Sequence, residues 1–356
     1  MSYNLKDYIH DFSSEDTVRA EFKEAVNKYF DCKYSIPVSN GTAAIEVALR
    51  SLSLPRGSLV IVPDISFIAT ATAVANCGLI PVYADVSGDY LGMTLDEVVR
   101  KYNSGVKAVI VVHLAGYMNR EIFQIRDFCR EKGICLLEDC AQALACCAKG
   151  KKAGTIGDIG TFSFQSSKIV NAGEGGLIIT DNNHFALKCE AISDWGISTG
   201  CYKRNLNISS SNFRLSAIQC YFLIKQFEMI DDIVNERLSK CERLFEACRE
   251  FNVEPYSPKK QKDFFDCPFF FMIKSRKKIN TIEPREEYPM RNSSMVREIL
   301  KDYYPDLVDK YLSSNCENRQ NLVSRRILSE IDFINIRQNS EKTDMELFGA
   351  YADKIG

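Results

Sequence analysis

The stretch Gly160-Thr161-Phe162-Ser163-Phe164-Gln165-Ser166-Ser167-Lys168, closed by Gly173-Glu174-Gly175-Gly176, joins two short β-rich bursts through a loop that carries one lysine. The bursts, Thr161 to Phe164 and Leu177 to Thr180, are apolar, β-branched or aromatic and bounded by glycine, the pattern of buried strands. A serine and a glycine-rich turn flank Lys168, which makes its amine a candidate for covalent bonding to a carbonyl. Taken singly, a lysine is ordinarily a solvated surface charge.

Working outward, the bursts Leu59 to Val62, Ile80 to Tyr83, Ala108 to His113 and Ile134 to Glu138 have the same character. Helical periodicity separates them over Ser14 to Phe30, Thr42 to Leu52, Ile65 to Cys77, Leu95 to Tyr102 and Arg120 to Lys132. Strands alternating with helices predict an α/β fold with a mainly parallel sheet between helical layers. Ser216 to Phe251 reads as one or two long amphipathic helices, and the segment beyond carries Pro255, Pro258, Pro268, Pro284 and Pro289. We therefore expect a large α/β/α domain over residues 1–230 and a smaller C-terminal α+β domain over 231–356.

Composition narrows the function. In 356 residues, 46% apolar and 26% charged, a net charge of −2 and a pI near 6.1 give no basic field to attract nucleic acid or an anionic membrane. The basic stretch Lys274, Arg276, Lys277, Lys278 reads as a solvated turn. Fourteen cysteines are scattered without a leader-like N-terminus, so they are expected reduced, in a cytoplasmic protein. Cys140, Cys146 and Cys147 lack paired ligand spacing and only three histidines exist, so no metal is expected. No apolar run is long enough to cross a membrane. A small-molecule substrate is the default.

Three features fall at carboxyl ends of predicted strands, where ligands of open α/β sheets gather. In Ser39-Asn40-Gly41-Thr42-Ala43-Ala44, a glycine admits close backbone approach and a helix start offers unpaired N–H groups to a phosphate. In isolation such a motif is ordinarily a helix cap with no ligand. In Leu136-Leu137-Glu138-Asp139-Cys140-Ala141-Gln142, a hydrophobic strand ends in acids that cap a helix or hold a ligand. The third is the Lys168 loop.

These stretches, with VPDISFIAT, VYADV, VHLAGY, AGEGGLIIT and NFRLSAIQ, occur in the order and spacing of one family. From about Ser14 to about Lys240 the chain resembles the DegT/DnrJ/EryC1/StrS aminotransferases. The resemblance implies the type I fold of pyridoxal phosphate (PLP) enzymes, with PLP as cofactor. It makes Lys168 the Schiff-base lysine, Asp139 the partner of the pyridine nitrogen and Gln142 a neighbour of the ring's 3-oxygen. Phe67 would lie over the ring, unless it is a core aromatic, and Gly41, Thr42 and Ser163 would hold the phosphate. Asn212 would reach the phosphate from the other subunit of a homodimer. His113 is a candidate substrate neighbour or a core histidine, and Arg214 is a candidate brace of the dimer.

Relatives that act as sugar dehydratases replace the lysine by histidine, whereas this chain keeps Lys168. The resemblance thus implies transfer of an amino group from glutamate or glutamine to a keto sugar, nucleotide-linked, to make an amino sugar. Gln165-Ser166-Ser167-Lys168 also resembles relatives that aminate keto-inositols, so a free keto-cyclitol is the alternative acceptor. A catalytically silent PLP-binding regulator is the third reading. The C-terminal third departs from the family pattern: Tyr288-Pro289-Met290-Arg291 stands where Tyr-x-x-Pro-Leu-His is usual, and Ser329-Glu330-Ile331 replaces a Leu-Pro pair.

Overall fold

Short apolar runs can bury both faces only between two helical layers. The computed structural model of the chain describes residues 15–198, 205, 207–274, 299 and 331–335. Its first half alternates as expected: α1 (Glu15–Phe30), β1 (Tyr34–Val38), α2 (Gly41–Ser51), β2 (Leu59–Pro63), α3 (Ala69–Asn76), β3 (Ile80–Ala84), α4 (Leu95–Lys101), β4 (Val106–Val112), α5 (Ile122–Lys132) and β5 (Cys135–Asp139). There follow the short strands β6 (Cys147–Ala148) and β7 (Lys151–Lys152), then β8 (Ile159–Ser163), β9 (Gly176–Thr180) and α6 (Asn183–Ser193).

Seven of these strands form one sheet in the order β1-β9-β8-β5-β4-β2-β3. Neighbours from β8 through β3 are parallel, while β9 runs antiparallel to both β1 and β8. This places the ends of β4, β5 and β8 and the start of β9 on one edge.

Alternation along each strand divides the core. Ile61, Leu136, Phe162 and Leu177 face Phe22 and Val26 of α1 and Ile122 and Ile125 of α5. Val60, Val62, Leu137 and Ile178 face Val47 and Leu49 of α2, Val74 of α3 and Ile192 of α6. Phe22 is fully buried, a contribution of about 1.5–3 kcal/mol for such a side chain.

The long helical segment is two helices, α7 (Ala217–Glu228) and α8 (Ile230–Glu250), broken at Met229. Ser216 and Gln219 close the start of α7 as a capping box. Ile230 and Ile233 of α8 still belong to the large core, while Cys241, Leu244 and Ala247 join a separate cluster with Phe271 and Ile273. That cluster lies beside a three-stranded antiparallel sheet of β10 (Pro255–Tyr256), β12 (Phe270–Lys274) and β13 (Ile331–Asn335). A further short strand, β11 (Phe264–Phe265), pairs instead with β6. Most of the expected small domain lies outside the described residues, including Arg276 to Lys278, Tyr288 to Arg291 and Ser329-Glu330. One boundary is corrected, since α3 begins at Ala69 rather than Ile65, and the sheet is mainly parallel as expected, with β9 the strand that runs against its neighbours.

The last two residues of β5 are both buried acids. Glu138 accepts hydrogen bonds from the N–H groups of Gly154 (3.0 Å), Ile156 (2.7 Å) and Gly157 (2.5 Å) and from His113 Nε2 (2.9 Å). One carboxylate thereby ties the end of β4 and the 154–157 loop to the central strand. Removing it strands several buried donors, each costing about 1–3 kcal/mol. Glu138→Ala should therefore lower the unfolding free energy by at least about 3 kcal/mol in urea titration; a loss below about 1 kcal/mol would contradict this role.

Candidate active site

The carboxyl edge of the sheet opens into a cavity of about 810 Å³. Its wall includes Gly41, Thr42, Phe67, Asp139, Gln142, Ser163 and Lys168, seven residues that the sequence reading singled out.

Asp139 closes β5 and is almost fully buried. Its two oxygens accept from Ala141 N–H (3.1 Å) and from the Thr70 hydroxyl (2.8 Å). Thr70 in turn lies 2.7 Å from the Ser66 hydroxyl, and with its own proton committed to Asp139 it accepts from Ser66. Burial pushes the Asp139 carboxyl above its ordinary range, while the Ala141 and Thr70 bonds and the charge on Lys168 pull it back. A carboxylate so placed, with lone pairs to spare, suits a cationic ring nitrogen as partner.

Lys168 sits in the loop between β8 and β9. Its backbone N–H donates to Gln165 O (2.8 Å) and its carbonyl accepts from Asn171 Nδ2 (3.2 Å), so only the side chain is free to move. Burial of the amine brings its pKa down to about 8, against the opposing pull of Asp139. This excludes the solvated-charge reading.

The phosphate-suited corner is built by close approach. A Cβ on Gly41 would come within 2.8 Å of Ser163 Cβ, so only glycine lets the start of α2 meet the end of β8. Asn40 caps α2 by accepting from Ala43 N–H (2.8 Å), which leaves the N–H groups of Gly41 and Thr42 without intrahelical partners beside Ser163. Unpaired helix-start donors and a hydroxyl fit a phosphate. Gln142 Oε1 accepts from Ala115 N–H (2.6 Å), leaving its amide N–H group to donate to a ring oxygen. Phe67, between β2 and α3, is 62% exposed on the cavity wall, which excludes the core reading. These donors together fit PLP.

Two expected residues lie elsewhere. His113 is fully buried, with Nε2 on Glu138 and Nδ1 accepting from Asn119 N–H (3.1 Å), and it is not part of the cavity wall. The substrate-neighbour reading is therefore corrected to a core histidine with both nitrogens occupied. His113, Glu138 and Cys140 are close enough for a metal, but Glu138 is already saturated by N–H donors. Asn212 is exposed and absent from its own chain's cavity, although its neighbour Phe213 lines it. Arg214 pairs with Asp194. Sequence reasoning missed Ser66, Thr70, Phe213, Phe269 and Phe270. The Phe269-Phe270-Phe271 run of aromatics was the one visible signal among them.

Comparisons with known proteins bear on the family and the fold. Over 223 residues the chain is 34% identical to a GDP-perosamine synthase of Vibrio cholerae, covering 62% of this chain and 59% of that protein, and so less than two thirds of its length. A GDP-perosamine synthase of Escherichia coli O157:H7 is 27% identical over 306 residues, covering 84% and 82%. The solved structure of 3-amino-5-hydroxybenzoic acid (AHBA) synthase superposes with a TM-score of 0.80 at 20% identity, over 99% of this chain and 96% of that one, a likeness of fold. A sequence profile matches residues 10–327, and the chain belongs to the DegT/DnrJ/EryC1/StrS aminotransferase family.

Proposed function

We propose that this protein is a PLP-dependent aminotransferase that moves an amino group from glutamate or glutamine to a nucleotide-linked keto sugar, acting as a cytoplasmic homodimer. The observation that carries the reading is one cavity holding a lysine with a pKa near 8, a buried carboxylate and a helix-start phosphate corner. Family membership and the sugar-aminating relatives support the acceptor class. Among the described residues no helix is long and apolar enough to cross a membrane. The division into a large domain to residue 230 and a small one beyond is part of the same proposal.

When bound, PLP supplies an aldehyde that condenses with amines and a pyridinium ring that absorbs electron density. Lys168 would hold it covalently, Asp139 would keep the ring nitrogen protonated, and Gln142 would donate to the ring's 3-oxygen. Gly41, Thr42 and Ser163 would hold the phosphate, and Phe67 would cover one face. Lys168 Nζ, when not bonded to the cofactor, would take the proton from the donor's Cα. In the second half the same amine would return a proton to the acceptor carbon. The deciding test loads the enzyme with pyridoxamine phosphate and offers nucleotide-linked keto sugars and free keto-cyclitols. Amination of a nucleotide-linked sugar is expected, and amination of free cyclitols alone would overturn the acceptor class.

Because the reactive amine is the neutral one, capture of PLP by the cofactor-free chain should speed up as pH rises through about 8. Borohydride should then fix the cofactor on Lys168, and Lys168→Ala should abolish both capture and turnover. A label on another lysine, or a midpoint near the ordinary lysine value of about 10.4, would contradict the assignment.

Asp139→Asn should retain PLP yet lose at least about a hundredfold in half-reaction rate, because a neutral amide no longer favours the protonated ring. It also removes the anion that props up the Lys168 pKa, so the capture midpoint should fall below that of the parent chain. Near-normal half-reaction rates would remove Asp139 from its role.

The exposed Asn212 supports a cofactor corner shared between subunits. A two-fold dimer mixing Lys168→Ala and Asn212→Ala chains puts both lesions in one pocket and neither in the other. Subunit exchange should thus restore activity to about half the sites of mixed dimers; demonstrated exchange without recovery would defeat the shared corner.

A further inference from the structure

The segment Asp266 to Phe269 brings Phe269 to the cavity wall and is fastened to the large layer structure at every residue but one. Asp266 takes a bidentate pair from Arg120 (2.8 and 2.6 Å) and accepts from Met118 N–H (3.0 Å). Cys267 N–H donates to Gly116 O (3.1 Å), and Phe269 N–H donates to Ala115 O (2.8 Å). The buried guanidinium of Arg237, from α8, donates to the carbonyls of Pro268 and Phe269, each at 3.2 Å. Gly116, at φ +85°, is the residue that permits this approach. A Cβ there would stand 2.1 Å from Cys267 O and 2.3 Å from Phe269 N.

This fastening delivers one side chain to the lysine. Phe269 is 2% exposed, and its ring centroid lies 4.6 Å from Lys168 Nζ, within the range where a ring face attracts an ammonium. Phe270 meets the same ring edge-on at 4.4 Å and limits its rotation. With the Lys168 backbone pinned by Gln165 and Asn171, the amine can travel only as far as its own torsions allow.

We propose that Phe269 is a positioning residue, whose ring face holds the protonated amine of Lys168 whenever that lysine is not bonded to the cofactor. The inference rests on the proposed function, in which Lys168 must alternate between bonded and free forms. A freed, protonated amine on this cavity wall is largely withdrawn from water. Asp139, from β5, is the anion acting on it, but that carboxylate is also the partner proposed for the ring nitrogen. Glu174, from the β8–β9 loop, lines the same cavity, and Arg237, from α8, lies over the Phe269 ring at 5.9 Å and, being a cation, offers the amine no counter-charge. The ring face therefore offers the amine a resting contact that does not compete with the cofactor for Asp139.

The sign is definite. A ring face favours the ammonium over the neutral amine, whereas an aliphatic side chain of similar bulk supplies only desolvation, which favours the neutral form. In the full-length cofactor-free chain, trace acetic anhydride labelling across pH, read at the Lys168 peptide by mass spectrometry, gives the titration midpoint of this amine. Phe269→Leu should lower that midpoint by about one unit, and Phe269→Trp should leave it equal or raise it. Replacing Phe269 by phenylalanines with one, three and five ring fluorines keeps the shape while draining the ring face, so the midpoint should fall stepwise even where Phe269→Leu disturbs folding. A midpoint that stays put or rises along the fluorine series overturns the proposal. Borohydride fixing of PLP on Lys168 in the same proteins tests the underlying function separately: normal fixing with an unmoved midpoint removes the Phe269 role alone.

Discussion

Two acids closing one buried strand are the constraint on which the rest of this structure depends. Successive residues of a strand point to opposite faces, so Glu138 and Asp139 cannot share partners. Each must be satisfied inside the protein, because an unpaired buried carboxylate costs several kcal/mol. Glu138 is satisfied by the loop at Gly154 to Gly157 and by His113, which fixes the neighbouring strand ends. Asp139 is satisfied only in part, by Ala141 and Thr70, and turns its remaining capacity toward a cavity. One acid builds the frame, and the other faces the cavity.

The same division explains Lys168. A lysine drawn partly out of water is costly when charged, and its pKa falls to about 8 because burial outweighs the attraction of Asp139. Base chemistry near neutral pH needs such a value. The helix-start corner at Gly41, the amide of Gln142 and the aromatic wall of Phe67, Phe213, Phe269 and Phe270 surround this pair. The frame on the Glu138 side holds the corner and the pair at one edge, so the cavity is inherited from the sheet rather than from a loop that must fold around its ligand.

Much of this was legible in the sequence, and the reasons differ by residue. Strands such as Leu59 to Val62 and Ile80 to Tyr83 are visible because burial on both faces demands unbroken apolar runs. The order and spacing of motifs around Asp139 and Lys168 pointed to one cavity because strand ends lie on one edge. The reversed direction of β9 left no trace, since a buried strand has the same composition either way. Ser66 and Thr70 look like ordinary residues at a helix start, and only their distance to Asp139 gives them a role. His113 could only be left as a core or a substrate-facing histidine, because a buried, fully bonded histidine and a ligand-facing one are identical in sequence. Phe269 lies far along the chain, and only tertiary docking through Gly116 brings it to Lys168.

The central claim is that Lys168 and Asp139 operate a bound PLP as an amino-group carrier. The most direct measurement mixes PLP-loaded enzyme with L-glutamate or L-glutamine, without acceptor, and follows the cofactor spectrum together with the oxo acid released. The account predicts conversion of the cofactor to pyridoxamine phosphate, with one oxo acid formed per site. Cofactor that stays in the pyridoxal form, with no oxo acid from either donor, would contradict it.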